Sequence, residues 1–317
     1  LLDTHDLAAL ALTSRLAEAV VKPLSGREFW QVTRNTSAAE LRGMTSAEIA
    51  TKLVIATDKA DRIAALFERA ASIALTLEKL EHSGIWTITA SGKRYPERLR
   101  ARLGDAAPVI LHGVGDAALL DTGGVGVVGS RNVADDGAQM ARDIAHAAVK
   151  AGLPVVSGAA RGVDRDAMNG AFEAGGQVIG VLADALQKSV TRPVTRRGIA
   201  DGNICLISPY TPTAPFSVGN AMGRNKIIYA LSRCTVVVAS EQESGGTWAG
   251  AIEALKHRYG LVAAWAGAGI TPGNRALVEH GAVELTDVER LGDLLWHASP
   301  EPVSPNEDSG EQLTLRF

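Results

Sequence analysis

Two segments constrain this chain more than any others: Gly126-Val127-Val128-Gly129-Ser130-Arg131, and then Ser157-Gly158-Ala159-Ala160-Arg161-Gly162-Val163-Asp164. Each is an apolar run that closes on glycine and serine and then a basic residue, the pattern of a buried parallel strand delivering its C-terminal end to a ligand. Two such ends side by side form an anion pocket. Backbone N–H groups in the glycine turns and at the following helix starts would face phosphate, and Arg131 and Arg161 would add charge-assisted hydrogen bonds.

The bulk properties narrow the classes. A chain of 317 residues with 46% apolar residues has ample material for a full core and a length prior of about two domains. Its net charge of −3 provides no global basic field, so any nucleic-acid contact must come from a local patch. No apolar run approaches the roughly 20 residues a membrane span needs, and Leu1-Leu2-Asp3-Thr4-His5-Asp6 lacks the order of a signal peptide. A cytoplasmic location with no membrane contact is expected. Cys205 and Cys234 lie in apolar settings without metal-ligand spacing and read as core thiols; neither a metal nor a cofactor is expected.

Residues 1–84 carry helical periodicity, as in Leu7, Leu10 and Ala11, and later Ile63, Leu66, Phe67, Ala70 and Ala71. Thr45-Ser46-Ala47-Glu48 reads as a helix entry after a stop at Gly43. From Val125 the pattern alternates. Val125–Ser130, Pro154–Gly158, Gln177–Ala183, Asn203–Tyr210, Thr235–Ser240 and Leu261–Ala266 read as strands, with amphipathic helices such as 134–150 and 247–259 between them. This predicts an α/β fold, a Rossmann-like mostly parallel sheet with helices on both faces over residues 85–297, preceded by a small all-helical N-terminal domain. Residues 298–317 turn to Ser, Pro, Glu and Asp and read as a flexible linker ending in a short apolar peptide.

Further segments point at the same strand ends. Asn220-Ala221-Met222-Gly223-Arg224-Asn225-Lys226-Ile227-Ile228 places two cations and an amide at an expected helix start, where the helix dipole already favours an anion; a salt bridge to a neighbouring carboxylate is the structural alternative. Ser244-Gly245-Gly246-Thr247 is another glycine turn opening a helix. The run from Lys188 through Arg192 to Arg197 holds four cations and no acid, suited to phosphate-backbone contact or simply to solvation. Lys93-Arg94-Tyr95-Pro96-Glu97-Arg98-Leu99-Arg100-Ala101-Arg102 couples cations to Tyr95, and reads either as a further basic cluster or as a helix packing on the domain with its charges outward. Aromatics make up 4% of residues, so stacking on many rings is not expected to dominate affinity.

In their order these motifs resemble the DNA-processing protein A family, also called DprA or Smf. The resemblance starts at Gly84-Ile85-Trp86-Thr87-Ile88-Thr89 and Tyr95-Pro96-Glu97-Arg98-Leu99. It then passes through Gly129-Ser130-Arg131, Ser157–Asp164, Gly223–Ile228 and Ser244–Thr247, and ends near Gly273-Asn274-Arg275-Ala276-Leu277 and Gly281-Ala282. It implies a non-enzymatic protein that binds single-stranded DNA and helps load a RecA-type recombinase, commonly as a homodimer. By the family pattern Arg131, Lys188, Arg224 and Lys226 would contact phosphates. The turns at Gly129-Ser130, Ser157-Gly158 and Gly245-Gly246-Thr247 would shape the groove, with Arg161, Arg192 and Asn225 beside them.

The chain departs from the family pattern in several places. Gly219–Lys226 stands where the family has Phe-Pro-x-Arg-Asn-Arg, the run around Thr191-Arg192-Pro193 where it has Tyr-Pro, and Trp265 where small residues are expected. These changes imply a remodelled groove, and no winged-helix pattern follows Trp296. A fainter resemblance to nucleotide-binding sensors and nucleoside-monophosphate phosphoribohydrolases keeps a second reading open, with Glu253 as its acid but at the wrong spacing. The terminal Gln312-Leu313-Thr314-Leu315-Arg316-Phe317 resembles the bacterial sliding-clamp-binding hexapeptide. That resemblance implies a docking role for Gln312, Leu313, Leu315 and Phe317.

Overall fold

The computed structural model describes residues 3–297. The N-terminal periodicity resolves into six helices, from Thr4–Thr13 to Ala70–His82. The first four of them are closed by capping boxes, Asp3 with Asp6, Ser25 with Glu28, Ser37 with Glu40 and Thr45 with Glu48. In each, the cap side chain accepts an N–H from the first turn while the acid reaches back to the cap N–H, so the helix start satisfies itself. Arg69 is buried and donates from Nε to the Ala11 carbonyl at 3.0 Å, tying the last of these helices to the first.

The sheet has nine strands: β1 (Trp86–Thr89), β2 (Ile110–Gly115), β3 (Gly124–Gly129), β4 (Val155–Ser157), β5 (Val178–Val181), β6 (Ile204–Ser208), β7 (Ser232–Ala239), β8 (Leu261–Trp265) and β9 (Val283–Leu285). Their spatial order is β1-β2-β6-β5-β4-β3-β7-β8-β9. The pairs β1–β2 and β2–β6 are antiparallel and all others parallel, which is a Rossmann-like α/β arrangement with an antiparallel edge.

Alternate side chains of the central strands feed two cores. Val125, Val127, Val155, Val178, Cys234 and Val236 pack beneath helices Asp135–Lys150 and Val163–Glu173. Val128, Val156, Ile179 and Val237 pack on the other face, against helices Val218–Leu231 and Gly245–His257. That second core is continuous with the N-terminal helices through residues such as Leu10, Phe29 and Leu66. Thr89 on β1 donates to the buried Asp6 at 2.7 Å, and Trp30 Nε1 donates to the Ala107 carbonyl at 3.0 Å across the same junction. Cys205 and Cys234 are buried, and burial raises both thiols, Cys234 to about 12.

The connections set the position of the site. The chain leaves β3 through Asp135–Lys150 on one face to reach β4, and leaves β7 through Gly245–His257 on the opposite face to reach β8. Neighbouring parallel strands whose exits diverge in this way open a crevice at their C-terminal ends, the topological switch point of the sheet. All six expected parallel strands are present within a few residues of their expected ends. Three features differ from expectation. Gly223–Lys226 lies in the interior of helix Val218–Leu231 rather than at its start, so the helix dipole does not act on Arg224 and Lys226 as expected. Trp86–Thr89 is itself the antiparallel edge strand, paired with Ile110–Gly115. The basic run after β5 folds into two short helices, Leu186–Val190 and Pro193–Ala200, the second started by Pro193 in its first turn.

Candidate nucleic-acid interface

A cavity of about 310 Å³ fills the crevice between the ends of β3 and β7. Its walls come from the turn Gly129–Asn132, the start of helix Gly245–His257 and one face of helix Val218–Leu231, with Ala160, Asp164, Ser240 and Glu241 completing the lining. Ser130 N donates to the Ala239 carbonyl at 2.9 Å, which joins the two strand ends directly. The Ser130 hydroxyl then bridges to Asn132, accepting from its N–H at 3.1 Å, and this local turn presents Arg131 outward. Arg161 donates to Asn132 Oδ1 at 2.9 Å and brings the second glycine turn against the first.

The helix starts here are built differently from those of the N-terminal unit. Asp135–Lys150, Val163–Glu173 and Gly245–His257 follow Ala134, Gly162 and Ser244, and none of the three has a side-chain cap. The first two carry aspartates in their first turns, whereas Gly245–His257 has no acid there. Its Ser244, Gly245, Gly246 and Thr247 line the cavity. An uncapped thirteen-residue helix with a positive dipole end and no carboxylate in its first turn is suited to receive an anion.

Arg224 forms the floor. It is 4% exposed and donates from Nη2 to the Gly158 carbonyl at 2.9 Å. The same Nη2 lies 4.0 Å from the buried Asp164 carboxylate, which accepts the Gly158 N–H at 3.1 Å. Burial pushes the Asp164 carboxyl up, opposed by the Arg224 charge and by the Ala160 and Gly158 N–H groups. Burial also lowers Arg224, opposed by Asp164. Arg224 Nε and Nη1 are buried and have no hydrogen-bond partner. Leaving such donors unmet costs about 1–3 kcal/mol each, more for a charged group. A ligand oxygen in the cavity would meet them on a shift of the Arg224 side chain.

Glycine is required at two points around this pair. A Cβ on Gly158 would lie 1.7 Å from Arg224 Nη1, inside the guanidinium. Gly162 has φ +78°, and a Cβ there would meet the Ser130 carbonyl oxygen at 2.4 Å.

The expected residues divide into three groups. Gly129, Ser130, Arg131, Arg224, Asn225, Gly245, Gly246 and Thr247 line one cavity, and Gly158 and Arg161 line its extension around Phe216. Ser157 is fully buried and donates to the Val127 carbonyl at 2.7 Å, a tie between β4 and β3. Lys226, Lys188 and Arg192 lie outside the cavity lining. Residues two apart on a helix point in nearly opposite directions, so Arg224 and Lys226 cannot share a face. The Lys226 ammonium is lowered chiefly by burial, with Glu253 raising it and Arg27 of the N-terminal unit lowering it. Lys188 and Arg192 are exposed on the helical connection after β5. Glu253 also lies outside the lining and accepts from the Tyr259 hydroxyl at 3.4 Å. Gln312, Leu313, Leu315 and Phe317 fall outside the described residues.

Three contributors carry roles that the sequence did not assign. Tyr210 donates to the Asn220 carbonyl at 2.9 Å and holds the start of helix Val218–Leu231. Phe216 is 52% exposed and lies 5.5 Å from the Arg131 guanidinium, at the mouth of the site. Asn274 is fully buried, with Nδ2 within 3.0 Å of the Val237, Val238 and Trp265 carbonyls. The Gly273-Asn274 motif therefore clamps β7 to β8 rather than facing the cavity.

Comparison with known proteins agrees with this architecture. The family model described as DNA recombination-mediator protein A matches residues 86–295. The chain is 36% identical over 125 residues to protein Smf of Synechocystis, covering 38% of this chain and 31% of that protein. It is 31% identical over 172 residues to DNA processing protein DprA of Bacillus subtilis, covering 53% of this chain and 57% of that protein. The chain thus spans between about a third and three fifths of the length of these two relatives. In fold it is similar to DNA processing protein A from Streptococcus pneumoniae, with a TM-score of 0.69 at 22% identity over 92% of this chain and 98% of that one. It is also similar to the Helicobacter pylori protein, solved for its single-stranded DNA binding mode, with a TM-score of 0.56 at 23% identity over 67% of this chain and 96% of that one. With the family model spanning most of the chain, from β1 to the last described helix, this protein belongs to the DNA recombination-mediator protein A family, the DprA/Smf family.

Proposed function

We propose that this protein binds single-stranded DNA through phosphate contacts at the β3–β7 crevice and acts, without catalysis, as a mediator of recombination. The observation that carries the reading is the buried Arg224 with two unmet donors beneath an uncapped helix start, beside the exposed Arg131. Cation, orphan N–H groups and dipole all favour one anion, and a phosphodiester satisfies them without reference to base sequence. The single-stranded DNA binding of the Helicobacter pylori protein supports the choice of a nucleic acid over a free anion.

In this reading Gly129, Ser130, Gly245, Gly246 and Thr247 cradle the phosphate, Asn225 holds the Gly246 carbonyl at 3.2 Å, and Arg131 and Arg161 meet the strand at the rim. Lys188 and Arg192 serve only a strand long enough to leave the crevice. The family resemblance extends the proposal to a homodimer, to transfer of the strand to a RecA-type recombinase, and to a division between a helical unit ending near residue 84 and the sheet domain. Anisotropy of a labelled oligo-dT tests the binding step: salt-sensitive binding that Arg131→Ala weakens supports it, and the absence of binding at low salt contradicts it. A mononucleotide sensor is the second reading, favoured by the gathering of Arg131, Arg224 and the Gly245 helix start around one cavity of about 310 Å³; competition by a mononucleotide at the same concentration as DNA would favour it.

A further inference from the structure

On the opposite face of the β3–β7 crevice lies a second cleft of about 510 Å³, beneath the start of helix Asp135–Lys150. Its walls are apolar, formed by Val133, Met140, Pro272 and the indole of Trp265. Trp265 is 6% exposed and is held by a hydrogen bond from Nε1 to the Ala268 carbonyl at 2.9 Å, so this wall is rigid. Asp136 and Glu241 supply carboxylates to the lining, and neither forms an ion pair among the described residues.

No lysine, arginine or histidine lines this cleft, in contrast to the phosphate cavity next to it. The two meet over Ser130, Asn132, Ser240 and Glu241, which line both. Apolar walls with acceptor-only carboxylates repel a phosphate and suit a neutral ring that carries N–H donors. A nucleotide whose phosphate sits at the Ser130 turn has such a ring attached, and in an unpaired strand its Watson–Crick edge is free. Guanine alone presents two adjacent donors on that edge, N1–H and the N2 amine, which match the two oxygens of a carboxylate.

We propose that this cleft is a nucleobase subsite that favours guanine, so that strand binding carries a base preference superimposed on the phosphate contacts. The proposal rests on the phosphate-binding reading of the adjacent cavity. A bidentate base contact discriminates by a factor of about five or more, and the preference is read as the ratio of affinities of the full chain for oligo-dT with and without a single central dG. Deoxyinosine, which lacks the N2 amine, should bind between the two. Met140→Trp, which fills the cleft, should bring the ratio to one with the salt slope unchanged. The double variant Asp136→Asn/Glu241→Gln should also bring the ratio to one, whatever its overall affinity, since Glu241 lines the phosphate cavity too, and it covers the case in which Met140→Trp does not fold. Equal affinities for the dG, deoxyinosine and dT strands, with salt-sensitive binding intact, overturn the base subsite and leave the phosphate reading standing. A dG preference that survives both variants also overturns it. Failure to bind any oligonucleotide overturns the phosphate reading and the subsite together.

Discussion

Arg224 and Asp164 face each other 4.0 Å apart beneath the β3–β7 crevice, both almost fully buried, with the Gly158 peptide hydrogen-bonded to both of them. A buried pair of this kind is expensive to break from one side, because the remaining charge is left without a partner. Arg224→Ala is therefore expected to lower stability by about 3–5 kcal/mol, measured by urea unfolding, as well as to weaken DNA binding. Arg224→Ala together with Asp164→Asn should recover a substantial part of that stability without recovering binding. Full recovery of binding in the double variant would show that Arg224 only supports the fold.

Gly158→Ala probes the same contact from the other side. The added methyl would occupy the position of Arg224 Nη1, and the guanidinium has little room to withdraw at 4% exposure. Overpacking of this kind costs about 1–3 kcal/mol, and the displaced Arg224 should lower DNA affinity in step. Gly175, at φ +71° with open space around it, provides a control: alanine there should strain the backbone but leave affinity unchanged.

Phe216 at the mouth of the site is an exposed ring beside an exposed cation. Stacking of one base on an aromatic ring contributes about 1–3 kcal/mol. Phe216→Ala is expected to lower affinity for oligo-dT within that range, with the salt slope unchanged because no charge is lost. Phe216→Trp should retain binding. An altered slope in Phe216→Ala would place its effect on Arg131 instead.

His112 sets a pH dependence remote from the site. Its ring is buried between β1 and β2, with Nδ1 2.9 Å from the Thr87 hydroxyl, and burial holds its pKa down at about 4 against an ordinary 6.5. The folded protein keeps the imidazole neutral while the unfolded chain takes up a proton near 6.5. The contribution of the buried neutral ring to stability is thus fully present above that pH and is lost as pH drops toward 4. The loss amounts to about a few kcal/mol at most. A His112→Gln variant, whatever its baseline stability, should lack this component of the slope in denaturant titrations across that range.

Legibility in the sequence followed physical context. The central strands were readable because each is an apolar run buried on both faces, as in Val125–Val128 and Val178–Val181. The segment Ile110–Gly115 has no strand signature of its own, because it carries His112 and two glycines, Gly113 beneath the Trp86 ring and Gly115 against the Ile204 carbonyl, and only the neighbouring strands explain them. The glycine turns identified the site because their backbone geometry is a local property. The direction of a cation is not local: Arg224 and Lys226 are equivalent in a motif, yet helix periodicity turns one into the cavity and the other toward the N-terminal unit. Lys188 and Arg192 belong to a run legible only as four cations without an acid, yet Pro193 and the apolar Leu186 and Val190 fold that region into helices beside β2 and β6.

The central claim, that the crevice binds the backbone of a single strand, is tested most directly by anisotropy of labelled oligo-dT. Wild-type protein and Arg131→Ala would be compared across a series of salt concentrations, with a mononucleotide as competitor. Arg131 is exposed, so its removal should leave folding intact. Affinity that falls with salt, a slope reduced by about one in the variant, and resistance to the mononucleotide are expected. An unchanged slope in Arg131→Ala, or displacement of the strand by an equal concentration of mononucleotide, would contradict it.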